Sequence, residues 1–68
     1  MKSTYIIKET TTLADGTKLI PYYYCGQDRL GAKLTPDMMQ AERFTRKDEA
    51  TRIAKSLKGG IADVIKLY

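Results

Sequence analysis

The chain has no histidine and no tryptophan, and only one cysteine, among its 68 residues. Without histidine the commonest general base and the commonest metal ligand are both missing, and hydrolytic triads built on an imidazole are excluded. One thiol, Cys25, cannot close a disulfide within the chain. Small exported domains usually depend on such bridges, so a reducing, cytoplasmic setting in a bacterial host is expected. The N-terminal apolar run is confined to Tyr5, Ile6 and Ile7, far short of a signal segment or a spanning helix, and no membrane association is expected.

What is present is the balance of an ordinary globular protein: 43% hydrophobic and 29% charged residues, with 12 Lys+Arg against 8 Asp+Glu and a formal charge of +4. A chain of this length makes one domain, over residues 1–68, with a core too small to hide every apolar group. Contact with a protein partner or a second copy is expected on that ground.

Thr4 to Leu13 is rich in Thr, Tyr and Ile and predicts a strand, with Tyr5, Ile7 and Leu13 on one face and Ile6 on the other. Asp15-Gly16 then predicts a tight hairpin turn of the kind that needs positive φ at both central residues. The return strand is Lys18 to Cys25. Pro21 cannot donate to a ladder, so that strand is expected at an edge, or bulged at the proline, and Gly26 is expected to end it. Residues 27–40 read as a loop holding one short helical turn, with Thr35 as cap, Pro36 and Asp37 in its first positions, and Met38 to Gln40 following. Met38 and Met39 are assigned to the edge of the core.

The clearest pattern starts at Phe44. Thr45 is placed to cap a helix whose third residue is Asp48, with Asp48 and Glu49 at the positive end of its dipole. Ala50, Ile53, Ala54 and Leu57 then form the i, i+3, i+4, i+7 stripe of a helix packed on a core. Lys55 and Lys58 suit its last turn, and Gly59 and Gly60 reverse the chain into a strand from Ile61 to Tyr68. Apolar residues on both faces of that strand predict a central position. The expected fold is α+β: a small antiparallel or mixed sheet of three strands in the order 2-1-3, one main helix on one face, and chain order β-β-α-β. Ala41 to Phe44 is the candidate for a fourth, short strand.

Several constellations bear on function. Gly26 to Lys33 has the glycine separation of a phosphate loop, but the lysine comes one residue late and Leu34 stands where a magnesium-binding hydroxyl belongs. The chain is also too short for the parallel sheet such a loop caps, so this is a turn with glycines in strained positions, and no cofactor is expected. Cys25 lacks a base to activate it and reads as a half-buried strand residue. Asp37, Glu42, Asp48 and Glu49 show no metal-ligand spacing. Asp48 and Arg52 form an i, i+4 pair on a helix whose charges suit a solvated face. No enzyme activity and no small-molecule ligand are expected.

Tyr22, Tyr23 and Tyr24 carry the interaction hypothesis. Alternation on a strand lets either Tyr23 or the pair Tyr22 and Tyr24 face the helix, so one set is displayed elsewhere. Tyrosine on a sheet face or edge strand suits contact with a second copy or a host protein, including strand pairing. The alternative is a basic nucleic-acid binder in which exposed tyrosines stack on unpaired bases while Lys18, Arg29 and Lys33 meet phosphates. Tyr22, Tyr23, Tyr24, Arg29 and Lys33 are the candidate surface.

From Ala41 onward the pattern Ala41-x-x-Phe44-Thr45-x-x-x-Glu49-Ala50, followed by Ile53-Ala54, Leu57, a glycine turn and a β-rich tail, resembles short proteins encoded by phages, prophages and other mobile elements of Gram-positive bacteria. The resemblance covers about the last 28 residues. It implies a small non-enzymatic accessory protein, with no site residues to carry over.

Overall fold

The computed structural model describes residues 3–57 and 61–67. It is α+β, with four antiparallel strands and one main helix: β1 (Tyr5–Thr10), β2 (Tyr22–Asp28), β3 (Gly31–Thr35), a 3-10 turn (Met38–Gln40), α1 (Lys47–Ser56) and β4 (Ile61–Lys66). The sheet order is β3-β2-β1-β4. Three strands therefore meander and the fourth returns beside the first, the Greek-key order, with α1 inside the long connection.

That order corrects three expectations at once. The stretch 27–40 is not a loop, because it completes β2 and forms β3, whose addition moves the strand after Pro21 from the edge to the interior. Pro21 is accommodated because it stands just before β2 and inside a bulge. Two residues separate Glu9 from Thr12 on one arm, while three separate Lys18 from Tyr22 on the other, so the second arm carries one extra residue around the proline. The last strand is an edge and not central. Among the described residues it pairs with β1 alone, through six successive partners from Tyr5–Lys66 to Thr10–Ile61, and its first residue, Ile61, is 69% exposed.

The turns also differ from expectation. Leu13 and Thr17 close a three-residue loop in which Thr17 O accepts from Leu13 N at 2.8 Å and Leu13 O accepts from Gly16 N at 2.9 Å. Only Gly16 has positive φ there (91°), so Asp15 does not adopt the left-handed geometry of a two-residue primed turn. This is the reversal in which a turn ends on a left-handed glycine. Gly26 does not end its strand. It pairs with Lys33 while Tyr24 pairs with Leu34, leaving Cys25 as the extra residue of a second bulge, and Gly26 takes the positive φ of 135°.

The core lies between the sheet and α1. Ile7, Tyr24, Phe44, Ala50 and Ala54 form one buried cluster, with Tyr5, Ile53, Leu57, Ala62 and Val64 packed around it. The helical stripe read from the sequence is thus the buried face. Alternation places Ile6 on the opposite side of β1, and Ile6 and Ala41 are also buried, outside that cluster. Residues 41–44 make no regular strand. β1 and β2 pair at Lys8–Tyr23 and Glu9–Tyr22, then part, and this segment fills the gap: Glu42 N donates to Tyr24 O at 2.9 Å, and Tyr5 and Phe44 exchange two bonds of 2.8 Å.

The caps shift by one or two residues. Arg46, not Thr45, precedes the first turn of α1, and no side chain caps it. Arg46 instead forms an ion pair with Asp48 at 2.9 Å, which replaces the expected Asp48–Arg52 pair. Asp37, not Thr35, caps the 3-10 turn by accepting from Met39 N, while Thr35 Oγ1 accepts from Asp37 N at 3.1 Å. Met38 and Met39 are 45% and 77% exposed and do not cover the core. Lys58, Gly59, Gly60 and Tyr68 lie outside the described residues.

Candidate protein-contact surface

β2 distributes its three tyrosines by the alternation of a strand. Tyr24 points to the helix side, 3% exposed, with its ring stacked on Phe44 at a centroid distance of 6.1 Å and an interplanar angle of 25°. Removal of the phenol from water holds its pKa above the ordinary value of 10.0, and the charges of Glu42 and Cys25 push the same way. Tyr22 shares that side but sits beyond the helix, beside Glu9, and is 40% exposed. Tyr23 lies on the opposite side, half-buried between Lys8 on β1 and Thr35 on β3. Of the three, Tyr24 belongs to the core and Tyr22 to the surface.

The two cations lie apart from Tyr22. Arg29 lies in the two-residue turn between Asp28 and Gly31, where Asp28 Oδ1 accepts from Leu30 N at 2.8 Å. Lys33 stands on the exposed edge strand, opposite Gly26. Along a strand, the seven steps from Tyr22 to Arg29 span about 23 Å. The five residues therefore occupy a core position, both sides of the sheet and a distant hairpin tip.

A different set of apolar side chains is exposed at the end of the sheet that carries Tyr22. The chain leaves the β1–β2 ladder at Thr10 and returns at Tyr22, and between them residues 11–20 form a ribbon held by Leu13–Thr17, Gly16–Leu13 and Leu19–Thr11 backbone bonds and a bridge at Thr12–Lys18. No residue from 12 to 20 is buried. Leu13 and Leu19 are each 45% exposed and Ile20 64%, with Tyr22 and Ile61 exposed where the ribbon joins the sheet. Thr11 pairs with Leu19, so alternation puts Leu13 and Leu19 on one side of the ribbon. Sequence reasoning missed this group because it took the arms as ladder strands. The available signal was Pro21, which interrupts pairing before the apolar residues at 19 and 20 reach the core.

Leu30, Leu34, Met38 and Met39 are exposed elsewhere, on the β2–β3 hairpin and the 3-10 turn. The outer face of α1 presents Lys47, Asp48, Thr51, Arg52 and Lys55 around a shallow open hollow. Arg46 holds the Asp48 carboxyl below its ordinary pKa through their hydrogen bonds, and the Thr17 N–H does the same for Asp15. Among the described residues no three His, Cys, Asp or Glu side chains gather as metal ligands, and no helix is long and apolar enough to cross a membrane. No protein-family model, curated protein or solved structure matches the chain.

Proposed function

We propose that this chain is a non-enzymatic accessory module of phage or mobile-element type that acts in the cytoplasm of a bacterial host by contact with another protein chain. One observation carries the reading. Among the described residues seven apolar ones are buried, while nine large hydrophobic ones, Leu13, Leu19, Ile20, Tyr22 and Ile61 among them, are at least 36% exposed. Single exposed apolar residues are ordinary, but several at one end of a small molecule are the composition of a contact surface. Tyr22 supplies the aromatic group that such surfaces favour.

The test is capture from lysate of the bacterium that carries the gene, comparing the wild-type chain with a Leu19→Glu, Ile20→Glu variant. The expected result is a protein retained by the first and lost by the second. Equal capture by both, or none by either, overturns the reading.

A second reading rests on Tyr23. It is half-exposed and adjoins Lys8, with Lys33 further along the same side by alternation, which is the pairing of ring and cation that single-stranded nucleic acid uses. Titration of salt against labelled oligonucleotides separates the two readings. Phosphate neutralisation gives a steep slope, whereas the protein-contact reading expects no binding at about physiological salt.

A further inference from the structure

We infer that the outer face of α1 is a contact for the phosphate backbone of duplex nucleic acid, blind to sequence and separate from both the apolar end of the sheet and the face that carries Tyr23. It adds an activity to the protein-contact reading and does not depend on it.

One ion pair decides the charge of this face. Helical spacing alone sets Asp48 against Arg52, which would neutralise both. In the structure both carboxylate oxygens of Asp48 are taken by Arg46, whose Nη2 lies 2.9 Å from Oδ2 and whose Nε lies 3.3 Å from Oδ1. Lys47, Arg52 and Lys55 are exposed, and among the described residues none of the three has an ion pair. They line one shallow hollow with Asp48 and Thr51, while Glu49, the other acid of the helix, stands outside it. Residues 46–55 hold four bases and two acids, a net +2, which is half of the chain's formal charge of +4.

Chemistry then selects the occupant. The hollow has no aromatic or large apolar side chain. The cores of protein interfaces are depleted in lysine and built on apolar groups, so a protein partner finds nothing to bury there. A single strand needs rings on which its bases stack, and the hollow has none. Thr51 does not reach for a ligand, since its hydroxyl donates to Lys47 O at 2.8 Å. What remains is cations without a hydrophobic anchor, the composition that meets phosphate oxygens and carries no sequence information.

Spacing agrees. Lys47 and Lys55 stand at the two ends of the hollow, about 12 Å apart along the helix axis, with Arg52 between them. One strand of a duplex presents a phosphate about every 3.4 Å of its axis, so that length faces about three or four phosphates with three cations. A contact of this size is weak alone. It holds the module loosely along nucleic acid and leaves the apolar end free.

Fluorescence anisotropy with a labelled duplex, and with one of its strands alone, across about 20–150 mM salt tests this. The expected result is duplex binding at low salt with a logarithmic salt slope of about −2.7, the value for three phosphates, and the same affinity for a second duplex of unrelated sequence. Lys47→Gln, Arg52→Gln and Lys55→Gln should each reduce that slope by about 0.9, and all three together should abolish binding. Lys18→Gln, Arg29→Gln and Lys33→Gln combined remove the same charge from exposed residues elsewhere, and should leave the slope unchanged. Near-ultraviolet circular dichroism of the Tyr24–Phe44 pair, unchanged in every variant, separates loss of contact from loss of fold. No duplex binding at about 20 mM salt overturns the inference. Equal loss in the two triple variants overturns it too, since net charge alone would then suffice, as does an equal hold on poly-glutamate, which would make an acidic protein surface as good an occupant. A preference for the single strand that survives the α1 variants and falls with Tyr23→Ser overturns it in favour of the sheet-face reading.

Discussion

The two neighbours of β1 hold it in different ways. On one side β4 pairs along its whole length and α1 covers both strands. On the other, β2 pairs at two positions, parts from β1, and continues into a hairpin exposed nearly throughout. The difference locates cohesion and display in separate halves. Burial by Ile7, Phe44, Ala50 and Ala54 is concentrated near α1, while the ribbon 11–20 and the β2–β3 hairpin keep their backbone bonds with little apolar cover. Local opening is therefore expected to begin in the hairpins.

The largest effect that could break this comparison is at Phe44. Phe44→Ala removes a ring that is 6% exposed and stacked on Tyr24, and should cost about 3–5 kcal/mol. A chain of this length has about 3–10 kcal/mol in total, so denaturant unfolding should show a variant close to the limit of folding. A loss below about 1 kcal/mol in urea titration would mean that the core is not centred there.

Gly26→Ala probes the other half. No atom lies within 4 Å of an added Cβ, so only the backbone, at φ 135°, opposes the change. The expected loss is about 1–2 kcal/mol, with the same measurement deciding. In the turn beyond it, Leu30 is 97% exposed, and Leu30→Ser should stay within about 0.5 kcal/mol of wild type. If Leu30→Ser proves as costly as Gly26→Ala, the β2–β3 hairpin is covered and the contrast between halves fails.

Hydrogen exchange sharpens the contrast without mutation. Amides bonded between β1 and β4 should exchange only on global opening, and those of Leu13, Gly16 and Leu19 much earlier. Titration adds a smaller effect. Burial raises the folded pKa of Tyr24 above its unfolded value, so the neutral phenol stabilises the fold fully below about pH 10. That contribution is lost as pH climbs through the folded pKa. Tyr24→Phe should therefore flatten the alkaline fall of the melting temperature; an unchanged fall would place the phenol in water. For Asp48 the sign reverses: its depressed pKa stabilises above the unfolded value and is lost in acid, so Asp48→Asn should lower the melting temperature slightly at neutral pH and not at all in strong acid.

Sequence patterns made some of this legible and not the rest, for identifiable reasons. The stripe Ala50, Ile53, Ala54 and Leu57 marks a helix because the period of 3.6 is written by side chains that pack. β3, Gly-Ala-Lys-Leu-Thr, has no such mark: it is exposed along most of its length and is a strand only because β2 offers it a partner. Missing it misplaced the edge, since one additional neighbour turns an edge strand into an interior one. β4 misled in the opposite way. Val64, Ile65 and Leu67 suggested burial on both faces, yet the strand is an edge whose first residue, Ile61, is largely exposed. At the candidate surface, alternation correctly separates Tyr23 from Tyr22 and Tyr24. Which set faces the helix depends on the extra residue at Pro21, and a bulge is a property of two strands together. The separation of Arg29 and Lys33 from Tyr22 follows from the same unseen strand.

The closing pair of the sheet joins residues 5–10 to residues 61–66. A ribosome adding about 5–20 residues per second makes the first of these several seconds before the last. Throughout that interval β1 lacks its β4 partner, and Ile6 and Ile7 lie on a strand with that edge vacant. A nascent chain in that condition is a template for pairing with its neighbours on the same polysome, so the speed of translation through the helix bears directly on how much protein reaches the native state.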